Sequence, residues 1–171
     1  MSETVKAINL VRNAENCLGM PYKYGHADAS AVDCSGLVVY LMDNLKGRKP
    51  YHGTNSMYRL DMVGRIKPMS EVKPGYICFK RREWRENQKD NKWFGKEPGD
   101  VYHCGIMGLN NKVINAANVK LGVIESDIQG WDCCAMLKGV DYSEEIGSSK
   151  TMFDALIDEI YAVLDKYRGK V

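Results

Sequence analysis

The residue best suited to covalent chemistry in this 171-residue chain is Cys34, which stands in the run Asp33-Cys34-Ser35-Gly36. Apolar residues at helical spacing follow it, so the pattern predicts a helix over residues 34–47 with Cys34 in its first turn. Unpaired backbone N–H groups and the positive end of the helix dipole favour the thiolate form of a cysteine at that place. Because the thiolate is the nucleophile, this position suits covalent catalysis.

A cysteine nucleophile needs a base, and the chain has three histidines. His103 stands near the start of a predicted strand, and Asn115 follows twelve residues later, across a predicted turn at 110–111. The return strand can bring Asn115 beside His103, where its amide oxygen could accept the other ring N–H and select the tautomer. His26 and His52 lie in predicted loops and we interpret them as solvent-exposed, with a place in the cleft wall as the alternative for His26.

The other elements must position these residues. Apolar residues at helical spacing predict a first helix within 5–18 and a last one, with an apolar stripe, over about 153–164. Residues 48–73 contain several glycines and prolines and are predicted to be mostly loop. Five short β-like runs are punctuated by Gly, Asn and Asp, as in an antiparallel meander: 76–79, 101–107, 112–116, 122–126 and 133–137. Helices first and strands later predict an α+β fold.

Composition restricts the class of protein. With 44% hydrophobic and 27% charged residues, the chain is not expected to be disordered, and a net charge of +2 gives no overall attraction to nucleic acid or anionic lipid. No apolar run approaches the roughly 20 residues that span a bilayer. The first residues lack the apolar segment of a secretory signal, so we expect free thiols, buried as packing residues apart from Cys34. No CxxC pair occurs, and we predict neither a metal site nor a cofactor.

One segment departs from this charge balance. Residues 80–96 hold seven Lys or Arg and three Asp or Glu, which is +4, so the rest of the chain sums to −2. A solvated surface loop is our first interpretation. The second is a lip of a substrate cleft that contacts an anionic polymer or the substrate's carboxylates, with Trp84, Trp93 and Phe94 as packing anchors. Contact with nucleic acid ranks last, because the rest of the chain adds no positive charge.

Two segments of the chain resemble motifs of the NlpC/P60 cell-wall peptidases. Residues 19–25, GMPYKYG, resemble the family's G-x-P-Y-x-[WY]-G, and residues 33–38, DCSGLV, resemble its D-C-S-G-L-V. Segments 73–79, 103–107 and 113–116 resemble later strands of the family in the same order, with Tyr76 where an Asp normally stands. The resemblance implies a papain-like α+β fold, in which N-terminal helices pack on a central antiparallel sheet and a C-terminal helix follows.

The resemblance also implies roles for individual residues. Cys34 would be the nucleophile and His103 the base, and Asn115 would occupy the orienting position that a second histidine holds in most members. Tyr22 matches the family's active-site tyrosine, whose hydroxyl lies near the nucleophile. The further residues predicted to contact substrate are Tyr24, Asp33, Ser35, Trp84 and Trp93.

We predict that residues 1–145 form the catalytic domain, with a charged insert at about 80–98. Residues 146–171 would form an amphipathic helix packed on the same domain or extending it. We expect Cys104 to point away from His103 into the core, because successive side chains of a strand alternate between its two faces.

The resemblance implies hydrolysis of an amide bond in peptidoglycan stem peptides, at a γ-D-glutamyl bond to a diamino acid. Two alternatives stay open: an amidase or acyltransferase of the same fold that acts on another amide or a lipid, and a catalytically inactive wall-binding domain. Without a signal peptide, we expect the protein to be made in the cytoplasm. It would act on the wall after release, as a bacteriophage endolysin does, or as part of a larger exported protein. The sequence leaves the oligomeric state open.

Overall fold

The computed structural model describes residues 3–81, 100–144, 157 and 160. The helices in these ranges are α1 (Ala7–Glu15), α2 (Cys34–Asn44) and α3 (Thr54–Leu60). The strands are β1 (Val5–Lys6), β2 (Ala27–Asp28), β3 (Ala31–Val32), β4 (Met62–Lys67), β5 (Ile77–Arg81), β6 (Val101–Met107), β7 (Lys112–Asn118), β8 (Gly122–Asp127), β9 (Cys133–Leu137) and β10 (Val140–Asp141). The five strands predicted from 76–137 are confirmed as β5 to β9.

The centre of the molecule is a six-stranded sheet with the strand order β4-β9-β5-β6-β7-β8. Every neighbouring pair in this sheet is antiparallel, which confirms the α+β class. Strands β5 to β8 form the predicted meander, but β9 does not continue it, because it pairs with β5 and β4 instead of β8. Two small pairs lie outside it: β1 runs parallel to β10, and β2 pairs with β3 just before α2. No helix among the described residues combines the length and the apolar character needed to cross a bilayer.

The helices cover one face of the sheet and form the larger part of the core with it. Leu10 and Val11 of α1, Leu37 and Leu41 of α2, and Phe79 of β5 are all fully or almost fully buried there. Burial of such side chains stabilises the fold by roughly 1.5–3 kcal/mol each. Helix α2 packs on β6 and β7, the two strands that carry His103 and Asn115.

A second, smaller cluster covers the opposite face of the sheet. It contains Tyr76, Cys78 and Met107 together with Trp131, which lies in the connection between β8 and β9. Tyr76 packs edge-on against Tyr142, with 5.2 Å between ring centroids, and its hydroxyl accepts a hydrogen bond from Lys67 Nζ at 3.2 Å. The residue at the family's Asp position is therefore part of the packing in this chain.

The prediction of a loop over most of residues 48–73 is wrong, because this segment contains α3 and β4. Helix α3 has seven residues, of which Thr54 and Met57 are buried, so it is too short to show a helical period. Strand β4 lies at the edge of the sheet with no fully buried residue, and its pairing with β9 is irregular between Val63 and Lys67. An exposed, irregular edge strand lacks the alternation by which strands are recognised.

All of the predicted C-terminal helix except residues 157 and 160, and most of the charged insert, lie outside the described residues. Ile157 and Ile160 are described, are helical, and are exposed. Of the insert, the structure describes Lys80 and Arg81 at the end of β5.

Gly36 provides a test of how closely the start of α2 packs. A Cβ at this position would clash with the backbone oxygen of His26. We expect Gly36→Ala to lower the free energy of unfolding by at least about 3 kcal/mol, since backbone cannot move aside as a side chain can. Gly130→Ala is the control: no atom lies within 4 Å of a Cβ there, and its positive φ of 82° costs about 1 kcal/mol. Equal losses in a denaturant titration would contradict this packing.

Candidate active site

The first turn of α2 is held by the carboxylate of Asp33, the N-cap residue of the helix. The Gly36 N–H donates to Asp33 Oδ1 at 2.7 Å, and the Gly25 N–H donates to Asp33 Oδ2 at 2.7 Å. The Ser35 hydroxyl donates to Oδ1 at 3.1 Å. A capping carboxylate satisfies helix N–H groups that otherwise lack partners. This buried group therefore determines where Cys34, the next residue, is placed.

His52 is an exposed loop residue, as predicted from the sequence, and it also contacts this carboxylate. Its Nε2 lies 3.0 and 3.1 Å from the two carboxylate oxygens of Asp33, so the ring donates from that nitrogen. The loop that carries it is held by the fully buried Asp61, which accepts the Tyr51 N–H at 2.7 Å and pairs with Arg48 at 2.6 Å. His52 thus lies in the cleft wall, the place considered for His26.

His103 and Asn115 are brought together by the antiparallel pairing of β6 with β7. Asn115 Oδ1 accepts a hydrogen bond from His103 Nε2 at 2.9 Å. The pairing register places Asn115 next to Gly105, where a Cβ would lie only 2.8 Å from the Asn115 Cβ. Glycine at this position leaves room for the amide to reach along the strand to the imidazole.

The orientation of the Asn115 amide follows from its other contacts. Its Nδ2 donates to the Val113 backbone oxygen at 3.1 Å and to the Ser126 hydroxyl at 2.9 Å. The Val113 carbonyl oxygen can only accept, so it needs the NH₂ group, and the amide oxygen is the atom that faces His103. The Nε2 of the ring is then a donor, and Nδ1 is the nitrogen left for Cys34.

The His103 ring is supported from behind by Trp131. The two rings are stacked, with 5.4 Å between centroids and an interplanar angle of 30°. Tyr102 lies on the same strand, with its ring centroid 6.4 Å from that of His103. These contacts restrict rotation of the imidazole, which is the property that a positioned base needs.

The sulfur of Cys34 contacts a second cysteine through a threonine. Thr54 Oγ1, at the start of α3, lies 3.3 Å from Cys34 Sγ and 3.7 Å from Cys104 Sγ. Cys104 is fully buried in the larger core cluster, as its alternation with His103 predicts. The sequence reasoning missed that the core at this place reaches the Cys34 sulfur.

These contacts explain the ionisation of the cysteine and the histidine. The pKa of Cys34 is well below its usual value, because the Cys104 thiol, His103 and Thr54 act as hydrogen-bond donors and the imidazolium adds positive charge, which together outweigh burial. Burial alone would lower the pKa of His103, but its hydrogen bonds to Cys34 and Asn115 and the thiolate charge raise it. Both shifts favour the thiolate–imidazolium form of the pair. The pKa of Cys104 is well above its usual value, so it keeps its proton.

The pair opens into a cleft of about 930 Å³. Tyr22 and Tyr24 line this cleft, and Tyr24 is 60% exposed. Burial and the neighbouring Cys34 raise the pKa of Tyr22 to about 12, so its hydroxyl remains a neutral donor. A neutral phenol beside a thiolate can donate a hydrogen bond to an oxygen of a bound substrate.

The residues predicted to contact substrate have different positions in the structure. Tyr24 lines the cleft, and Asp33 and Ser35 lie in its wall, where both are buried and hydrogen-bonded to the chain around α2. Trp84 and Trp93 lie outside the described residues. Sequence reasoning missed Thr54, Ser126 and His52, since a lone hydroxyl or imidazole in a loop or short helix carries no motif.

The described residues contain no group of His, Cys, Asp and Glu that could hold a metal ion. The cysteines at 17, 34, 78, 104, 133 and 134 are all free, and all except Cys34 are buried.

Substitution of Cys104 tests whether its hydrogen bond lowers the pKa of Cys34. We expect Cys104→Ala to raise the pKa of Cys34 by about one unit, because a hydrogen bond to a charged group is lost. The measurement is the rate of Cys34 alkylation by iodoacetamide against pH, located by mass spectrometry. Because the Cys34 pKa is lowered, the alkylation rate of the wild type should fall only at low pH. In Cys104→Ala, the pH at which this rate is half its maximum should be higher. Cys78→Ala, another fully buried cysteine in the second cluster, is the control, and an unmoved midpoint in Cys104→Ala would contradict the contact.

Substitution of Asn115 tests the orienting contact. We expect Asn115→Ala to lower the pKa of His103 by about half a unit or more, since the hydrogen bond that favours the charged ring is removed. An NMR titration of the His103 ring protons measures it. Asn110→Ala removes an amide of the β6–β7 turn that contacts Glu125 instead, and should leave the titration unchanged. A His103 pKa that is the same in both variants would show that Asn115 does not act on the ring.

Solved structures of known proteins share this architecture. The NlpC/p60 domain of the peptidoglycan hydrolase SagA has a TM-score of 0.62 and 24% identity, and the match covers 78% of this chain and 100% of that one. NlpC1 from Trichomonas vaginalis has a TM-score of 0.59 and 17% identity, with 77% of this chain covered and 44% of that one. An NlpC/P60 family protein from Bacillus cereus has a TM-score of 0.58 and 16% identity, with 78% and 41% covered. This chain thus spans less than half of the last two proteins.

No curated protein sequence matches the chain significantly. The sequence model of the NlpC/P60 family matches residues 19–137, a range that begins before the tyrosines of the cleft and ends with β9. That range contains Cys34, His103 and Asn115 and makes up well over half of the chain. The chain therefore belongs to the NlpC/P60 family.

Proposed function

We propose that this protein is a cysteine peptidase that hydrolyses an amide bond in the stem peptides of peptidoglycan. The observation that carries the proposal is the thiolate–imidazolium pair of Cys34 and His103, oriented by Asn115 and open to a cleft. Membership in the NlpC/P60 family supports a cell-wall peptidase.

In the first step the Cys34 thiolate attacks the carbonyl carbon of the scissile amide. The negative charge that develops on the carbonyl oxygen needs donors, and the Cys34 backbone N–H at the start of α2 is our candidate, with the Tyr22 hydroxyl beside it. His103 then gives its Nδ1 proton to the leaving amine, and the C–N bond breaks to leave a thioester on Cys34.

In the second step water hydrolyses the thioester. His103, now neutral, takes a proton from the water, and the tetrahedral intermediate expels the Cys34 thiolate. The Asn115 amide oxygen accepts the Nε2–H in both steps, so the ring keeps one orientation while its charge changes. Activity should fall at low pH as the thiolate is protonated and at high pH as the imidazolium is lost.

We propose the γ-D-glutamyl bond to the diamino acid as the bond cleaved. The cleft is compatible with the carboxylates of such a peptide, because the carboxylate that lines it among the described residues, Asp33, is 5% exposed and bonded to its own chain. The phage-derived, lysin-type setting stays a prediction.

Digestion of purified peptidoglycan tests the proposal. We expect mass spectrometry of the products to show a new free amine on the diamino acid and a new γ-carboxyl on D-glutamate. Cys34→Ala should reduce the rate at least about a thousandfold, because it removes the nucleophile. Cys17→Ala, a buried cysteine of the core, is the matched control and should retain activity.

The outcomes separate the alternatives. Cleavage elsewhere in the peptide or at a sugar-linked amide would support a different amidase of the same fold. Binding to the wall without new termini, together with slow alkylation of Cys34 at neutral pH, would indicate a non-catalytic domain and contradict the proposal.

A further inference from the structure

Lys80 is a cation that lines the cleft and has no carboxylate partner among the described residues. Its Nζ lies 4.9 Å from the ring centroid of Trp131, a contact in which the π-face of the indole attracts the ammonium group. Asp33, the carboxylate in the cleft wall, is already bonded to His52 and to backbone N–H groups. The charge of Lys80 is therefore available to a ligand in the cleft.

The position of Lys80 relative to His103 follows from the sheet. In the pairing of β5 with β6, Lys80 stands directly opposite His103. Residues paired in this way have side chains on the same face, with Cβ atoms about 4.5–5.5 Å apart. Trp131 contacts both, since the imidazole stacks on it and the ammonium group lies over it. The positive charge of Lys80 also acts to lower the pKa of His103, as expected for neighbours.

The proposed role of His103 indicates which part of the substrate lies near Lys80. In the proposed mechanism His103 protonates the leaving amine, so the residue that carries this amine lies next to it. We propose that Lys80 binds a carboxylate in the side chain of the leaving diamino acid, and so gives the enzyme a preference for a diaminodicarboxylic acid over lysine. This inference rests on the proposed function and specifies the substrate of the same site.

The two kinds of diamino acid differ in charge at the end of the side chain. A lysine side chain ends in an ammonium group, which Lys80 repels. The side chain of 2,6-diaminopimelic acid ends in an ammonium group and a carboxylate, and the carboxylate can pair with Lys80. Discrimination then comes from one attractive and one repulsive contact at the same cation.

Three synthetic peptides of the form L-Ala-γ-D-Glu-X-D-Ala isolate this contact. X is 2,6-diaminopimelic acid, its side-chain carboxamide, or lysine, and in each the α-carboxyl of X is in a peptide bond. We expect the wild type to cleave the free-acid peptide with a kcat/KM about five- to tenfold above that of the carboxamide, as for a partly exposed ion pair. Lys80→Met should bring this ratio close to one. Any change in His103 affects both peptides equally and cancels in the ratio.

Two further variants serve as controls. Lys80→Arg keeps the charge and should keep the preference. Lys67→Met removes a cation that contacts an aromatic ring in the same way, 5.1 Å from the Tyr76 centroid, on a residue that does not line the cleft, and should leave the ratio at its wild-type value. Circular dichroism and thermal unfolding show whether each variant is folded. If Lys80→Met does not fold, Lys80→Gln replaces it.

Binding provides a second measurement that does not need turnover. Calorimetry of the Cys34→Ala protein with the free-acid and carboxamide peptides should show the same preference, which Cys34→Ala/Lys80→Met should lack. Cleavage of all three peptides with a ratio unchanged by Lys80→Met would overturn the role of Lys80 and leave the peptidase function intact. If the wild type neither cleaves nor binds any of them, the proposed function and this inference fall together.

Discussion

The carboxylate of Asp33 connects three stretches of chain that are distant in sequence and meet at the cleft. It caps the helix that begins with Cys34 and accepts hydrogen bonds from the Gly25 backbone N–H and from the His52 ring. A carboxylate that is 5% exposed would be costly without these donors, because burial of an unpaired charge is strongly unfavourable. The donors and the carboxylate therefore stabilise one another, and the position of Cys34 depends on their all being present.

The ionisation at the site depends on neutral groups as much as on the histidine. Thr54 and Cys104 approach the Cys34 sulfur from the core side, while His103 provides the positive charge. Asn115 contacts the ring through a neutral amide and so adds no charge of its own. In the proposed mechanism, the proton needed by the leaving group is then held next to the Cys34 sulfur before substrate binds.

Much of the fold was predictable from the sequence because its signals are local. Strands β5 to β9 are bounded by turn-forming residues, and the stop signals after α1 and the apolar face of α2 are clear. Helix α3 and strand β4 were missed for a physical reason: one is seven residues long and the other is an exposed edge strand. In both, tertiary contacts of Thr54, Met57 and Met62 replace the periodic pattern that sequence reasoning needs.

By itself, the sequence determined the residue types and their order: a cysteine at a helix start, then a histidine and an asparagine on neighbouring strands of a hairpin. That much is local, because helix starts and hairpins are encoded within short segments. Only the tertiary structure decided which groups surround them. Thr54 and Cys104 reach the sulfur, Ser126 holds the amide of Asn115, and Lys80 and Trp131 flank the imidazole, because sheet register and helix packing bring together residues far apart in the chain.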